Sequence, residues 1–175
     1  MCGIFGVRGV AEAASLTHLG LYSLQHRGQE SAGIVAVGDD GVAHVARTMG
    51  LVSEGFGEED LAGMPGGVAI GHTRYSTAGS STIENAQPVL ARFRGGHIAL
   101  AHNGNLTNAT ELRRQLEDDG AIFASTMDSE VLVHRLARAR SERLEDKLAE
   151  ALEGVEGAYC ILVIIDDVLL AARDP

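Results

Sequence analysis

The sequence predicts an α+β fold in which antiparallel sheets carry helices on their outer faces. Short apolar runs joined by turn residues recur as hairpins along the chain. The helical patterns come singly or in pairs and do not follow each strand in turn, which argues against a regular parallel βαβ arrangement. Glycine is abundant at 22 residues, proline scarce at 3, and many of the glycines fall where the hairpins need turns.

The elements follow in order. "CGIFGV" reads as a short buried strand. Residues 11–25 place Ala14, Leu16, Leu19, Tyr22 and Leu24 on a rough helical period, with Gly28 just past the end. "AGIVAV", "GDDG" and "VAHVA" form a hairpin, and "GVAIGH" is a further strand leading into a long polar loop through "TRYSTAGSSTIENAQP". "VLARFRGGHIALAHN" is the clearest hairpin, with Gly95-Gly96 as its expected turn. "NATELRRQLEDDG" reads as a helix with Asn108 as N-cap, Glu111 completing a capping box and Gly120 as the stop. "DSEVLVHRLARA" and "RLEDKLAEALEG" are amphipathic helices, and "AYCILVIIDDVLLAA" closes with two strands around Asp166-Asp167. An apolar strand ending in two acids superficially resembles a phosphoribosyl-pyrophosphate motif. The loop whose backbone N–H groups would hold a phosphate is replaced here by "VLLAA", so the hairpin reading stands.

The 175 residues are most simply one domain, 2–175, long enough to bury a core without disulfides or metals. The formal net charge is −10, and the basic clusters "LRRQL" and "HRLARARSER" are mixed with acids on helical faces, which argues against nucleic-acid binding. No run reaches the roughly 18–20 apolar residues of a membrane span, and the N-terminus lacks the charged start and long apolar run of a signal peptide. The two cysteines, Cys2 and Cys160, lie far apart in sequence without a CxxC pair, which fits a reducing cytoplasm. The seven histidines show no HxxxH or HExxH spacing, so no metal site is expected.

Cys2 directly follows the start methionine. Removal of Met1, which a small second residue permits, would put a thiol and a free α-amine on one residue. A thiol has a reference pKa of about 8.5 and an α-amine of about 7.7–8, so a small downward shift makes the amine a usable base. Such a nucleophile needs oxyanion donors and groups that grip a substrate. "AHNGNLTN" follows a strand and offers the Asn103 carboxamide and the Gly104 N–H. "GHTRYSTAG" places Arg74 at a strand end, where it can hold a carboxylate with two parallel hydrogen bonds. "MDSEV" starts a helix with Asp128, suited to an ammonium group. Each residue also has a plainer reading: a turn for Asn103-Gly104, a surface ion pair for Arg74, a first-turn acid for Asp128, a buried strand residue for Cys2.

Taken together, "CGIFGV" at the start, "LQHRGQESAGI", "GHTRYSTAG", "AHNGNLTN" and "DSE", in that order, resemble the class II glutamine amidotransferases. Within them the chain resembles the glutaminase domains of the amidophosphoribosyltransferases, and the likeness runs from residue 2 to the end. "HRGQESAG" and "GHTRYSTAG" stand where hexosamine-forming relatives usually read "YRGYDSAG" and "GHTRWATHG", and the "RGPD" of asparagine synthetases is absent. The resemblance implies a four-layer αββα N-terminal nucleophile hydrolase fold with two stacked antiparallel sheets. It implies Cys2 as nucleophile with its own amine as base, and Asn103 and Gly104 as the oxyanion hole. Arg74 and Asp128 would take the carboxylate and amine of L-glutamine, with Thr77, in the Tyr75–Ser81 loop, as a weaker contact. Arg27 and Gly28 would order the nucleophile's terminus. No cofactor is implied for this domain; Mg2+ is expected only with the phosphoribosyltransferase domain that follows in the family and is absent here. The resemblance further implies a homo-oligomer for the full-length enzyme. Met127 stands before "DSE" where Ser or Thr is usual, and no propeptide precedes Cys2. The competing readings are a class II amidotransferase feeding a different acceptor and a glutamine-binding or assembly module that no longer turns over.

Overall fold

The computed structural model describes residues 2–75 and 81–174. Among these, two four-stranded antiparallel sheets stack face to face. The first has the order β1 (Gly3–Arg8), β4 (Val68–Arg74), β2 (Ser31–Val37), β3 (Ala43–Met49); the second has the order β5 (Val89–Phe93), β6 (Gly96–Leu106), β7 (Gly157–Ile165), β8 (Val168–Arg173). Helix α1 (Ala13–Ser23) and two short helices, α2 (Val52–Gly55) and α3 (Glu58–Ala62), lie on the first sheet's outer side; α4 (Ala109–Asp118), α5 (Glu130–Arg138) and α6 (Leu144–Leu152) belong to the second. This is the four-layer αββα arrangement that the resemblance implies.

Strand alternation divides the core. In β6, Ala99 and Ala101 face the other sheet and meet Val35, Val37, Val68 and Ile70 of β2 and β4. Ile98 and Leu100 face the opposite way, onto Leu132 and Leu136 of α5 and Leu148 of α6. The central strands β2 and β4 are buried along their whole length, as expected where both faces are covered.

Three local expectations are corrected. In α1 the buried residues are Ala13, Ala14, Thr17 and Leu21, while Leu16, Leu19 and Tyr22 are exposed. Small residues, with Gly20 against the Phe5 ring, let the helix sit close on β1 and β4, so its larger side chains turn outward. The β5–β6 turn is Arg94-Gly95, because Gly96 already pairs with Phe93. The capping box at α4 does not form. The Asn108 amide donates to the Gly154 carbonyl at 2.8 Å and its oxygen accepts the Glu156 N–H at 3.0 Å, while Glu111 pairs with Arg114 and Gln115.

Candidate active site

Gly3 pairs with Thr73 across β1 and β4, which sets Cys2 beside Arg74 at one end of the sheet stack. The Cys2 Sγ lies 3.6 Å from the Tyr75 carbonyl, a weak S–H···O contact. The Arg27 Nε donates to the Cys2 carbonyl at 2.9 Å, so the strand's first peptide is held from the short 3-10 turn at Gln25–Arg27. Gly28 follows at a close approach. A Cβ there would come within 2.6 Å of the Arg74 carbonyl carbon, so only glycine lets this stretch lie against the end of β4.

Cys2, Arg74, Gln87, His102, Gly104 and Asp128 line one cavity of about 340 Å³, a size within the usual range for small-molecule sites. Arg74 is buried and pairs with Glu30 at 3.3 Å. Asp128 stands two residues before α5, next to its N-cap residue Ser129. Its Oδ2 accepts the Leu106 N–H at 3.0 Å, and its Oδ1 lies 3.6 Å from the His102 Nδ1. Burial opposes ionisation of this carboxyl, but His102 and the N–H groups of Leu106 and Ser129 outweigh it, leaving its pKa below the ordinary value. The cavity thus presents a guanidinium and a carboxylate that stays ionised, together with a thiol and the free backbone of a glycine.

Two hydrogen-bonded loops present these groups. The Glu130 carboxylate accepts the Ala124 and Ser125 N–H groups at 2.7 and 2.8 Å, shaping the segment before Asp128. The Asn85 side chain donates to Thr126 Oγ1 at 2.9 Å and accepts the Thr126 N–H at 3.1 Å, tying the loop that carries Gln87 to the loop that carries Asp128. Met127 is buried beside Asp128 and adds an apolar wall to the cavity.

Asn103 opens onto an adjoining cavity of about 450 Å³ that shares Cys2, Tyr75 and Gly104 with the first and includes the exposed free thiol of Cys160. Asn103 pairs with Cys160 across β6 and β7. A Cβ at Gly104 would run into the Ala158 carbonyl and meet His102 Nε2 at 2.8 Å, so the close strand approach there requires glycine. Thr77 and most of the Tyr75–Ser81 loop lie outside the described residues.

Sequence reasoning missed Gln87, His72 and His102. His72 is fully buried between the sheets, and its Nε2 lies 3.1 Å from the His102 carbonyl, a bond from one sheet to the other. Burial, with His102 and Arg74 nearby, pushes its pKa down to about 3, so the ring is neutral. His102 sits directly before Asn103-Gly104, a placement that could have drawn attention to it; Gln87 carries no periodic signal. Among the described residues no His, Cys, Asp and Glu cluster has the makings of a metal site, and no helix is long and apolar enough to cross a membrane.

The amidophosphoribosyltransferase of Lacticaseibacillus casei is 53% identical over 99% of this chain and 90% of its own length. That of Bacillus subtilis is 47% identical over 99% of this chain but 37% of its own length, and chloroplastic amidophosphoribosyltransferase 2 of Arabidopsis thaliana is 47% identical over 99% and 31%. The chain therefore spans about a third of the length of most of these relatives. The solved glutamine phosphoribosylpyrophosphate amidotransferase of B. subtilis, complexed with ADP and GMP, superposes with a TM-score of 0.89 at 43% identity, covering 99% of this chain and 37% of that one. A solved allosteric regulatory enzyme of purine biosynthesis gives 0.92 at 44% identity, covering 100% and 37%. The model of the glutamine amidotransferase domain matches residues 72–175. On fold, sequence and these matches alike, the chain belongs to the glutamine amidotransferase domain family.

Proposed function

We propose that this domain hydrolyses L-glutamine to glutamate and ammonia through a γ-glutamyl thioester on Cys2. The observation that carries the reading is the shared cavity: a thiol one residue from the start of the chain faces a guanidinium and an ionised carboxylate. Arg74 suits the α-carboxylate of an amino acid and Asp128 its α-ammonium, which leaves the side-chain amide to reach Cys2.

With Met1 removed, the Cys2 amine takes the thiol proton and Sγ attacks the amide carbon of glutamine. The Gly104 N–H and the Asn103 carboxamide stabilise the resulting oxyanion. As the tetrahedral intermediate collapses, the ammonium returns its proton to the leaving nitrogen, and ammonia departs from a thioester. Water, deprotonated by the same amine, then attacks the thioester, releases glutamate and restores the thiol. Arg27 and Gly28 hold the terminus in place for both halves. Every step is supplied by the chain's own groups, and Cys2 must remain a thiol, as a reducing compartment allows.

For the full-length protein we propose the reaction that its relatives' names describe. Ammonia would react in a phosphoribosyltransferase domain with phosphoribosyl pyrophosphate, giving 5-phosphoribosylamine for purine synthesis. The relatives' greater length supports such a partner domain. Steady-state ammonia release tests the local reading. Cys2→Ala should reduce it to background, at least about 10³-fold, while glutamine still binds by calorimetry. Ammonia release unchanged in that variant rules the mechanism out.

A further inference from the structure

The edge of β6 explains how the Gly104 N–H comes to be available. In an antiparallel pair, directly opposed residues either exchange both hydrogen bonds or neither. Gly104 opposes Tyr159, and the Tyr159 N–H and carbonyl are both engaged on the other side, with Asp174 at 3.1 and 2.9 Å. The Gly104 N–H therefore points away from β7, toward the edge that β5 covers only as far as Leu100, opposite Val89. His102 and Leu106 share this orientation.

Two side chains take over where β5 stops. The Gln87 Oε1 accepts the His102 N–H at 2.7 Å, and the Asp128 Oδ2 accepts the Leu106 N–H at 3.0 Å. The N–H between them, that of Gly104, is capped by no side chain among the described residues. Both capping residues line the same cavity as Cys2. Gln87 is itself 6% exposed, and its surroundings are fixed: Arg47 donates twice to the next carbonyl, that of Pro88, at 3.2 and 2.7 Å. The His102 backbone is thus held on both sides of its Cα, the N–H by Gln87 and the carbonyl by His72 from the sheet that carries Cys2.

We propose that Gln87 is a positioning residue for the oxyanion hole. Its side-chain oxygen substitutes for the missing β5 partner at His102, ends the ladder one pleat before Gly104, and keeps the Gly104 N–H aimed at the space in front of Cys2. A β5 strand four residues longer, begun at Asn85, would have paired with this N–H and closed the site; a bare edge would leave the buried His102 N–H without an acceptor and free β6 to shift. The inference rests on the glutaminase reading above.

The test uses the full chain and glutamine as substrate. Gln87→Met removes the acceptor at similar size. It should lower kcat about 10- to 100-fold, a fraction of what losing an oxyanion donor outright costs, with KM within about threefold. Gln87→Glu retains an oxygen acceptor and should keep kcat within about threefold of wild type, whatever its added charge does to KM. Alkylation of Cys2 by iodoacetamide forms no oxyanion, so its rate should stay unchanged in all variants. Gln87→Asn, too short to reach His102, gives the same kcat loss should the Met variant fold poorly. Wild-type kcat in the Met or Asn variant overturns the proposal, as does an equal kcat loss in the Glu variant. Absence of ammonia release by the wild-type chain would instead overturn the reading on which it rests.

Discussion

The polar link between the sheets at the Cys2 end of the stack and the one at the far end differ in almost every respect. At the Cys2 end, His72 reaches the His102 carbonyl from a fully buried, neutral ring. At the far end, Arg8 of β1 donates to the carbonyl and carboxylate of Asp167 in the β7–β8 turn, both at 2.7 Å, with side chains 53% and 69% exposed. The exposed pair has the shorter contacts and the formal charges, yet water competes for both partners and such pairs contribute little. The buried link has no competing solvent, so losing it leaves a carbonyl unpaired in the core. The end proposed to hold the chemistry is therefore the end where geometry is enforced by burial. The far end also has a cavity, lined by Arg8, Asp39, Asp166 and Asp167, but nothing in it gathers a nucleophile, an oxyanion donor and paired charges.

The contrast is open to direct attack. The largest effect belongs to Asn103→Ala, expected to lower kcat for glutamine by about 10²–10³-fold with little change in KM, as for other oxyanion donors; steady-state kinetics read it, and an unaltered kcat would remove Asn103 from the site. His72→Phe comes next. Denaturant unfolding near neutral pH should show a loss of about 1–3 kcal/mol, the cost of an unsatisfied buried carbonyl. The same variant should alter the pH dependence. His72 titrates at about 3 in the folded chain and near 6.5 when unfolded. Its contribution to stability is complete above about pH 6.5 and is lost as pH falls toward 3, at about 1.4 kcal/mol per pH unit. Wild type should weaken along that slope, and His72→Phe should weaken more gently by about one proton. Equal slopes would mean that the ring is protonated in the folded state. The smallest effect is expected for Arg8→Met, less than about 1 kcal/mol in stability, with glutaminase activity intact. A fall in activity there would break the distinction between the two ends.

Much of this was legible in the residues. The hairpins at β2–β3, β5–β6 and β7–β8 follow from apolar alternation and turn chemistry. The motif positions Cys2, Arg74, Gly104 and Asp128 converge on one cavity, with Asn103 on the adjoining one, because each lies at or near a strand or helix end on the same side of the stack. What stayed hidden depends on how distant segments meet. The buried face of α1 could not be read from its large residues, since close packing selected Ala13, Ala14 and Thr17. Helices α2 and α3, at four and five residues, are too short to show a period. Asn108 carries a good N-cap signature but spends its side chain on Gly154 and Glu156, which only the return of β7 brings near. Gln87 and His72 act through the backbone of a strand 15 and 30 residues away, and no local pattern marks such a bond.

The central claim is that position two carries both the nucleophile and its base. Rapid acid quenching of the chain during turnover of glutamine, followed by proteolysis and mass spectrometry of the N-terminal peptide, tests it directly. The account predicts a peptide that begins at Cys2, lacks Met1 and carries one glutamyl group that hydroxylamine removes. A peptide that keeps Met1 while ammonia is released, or a glutamyl group on Cys160 in place of Cys2, would contradict it.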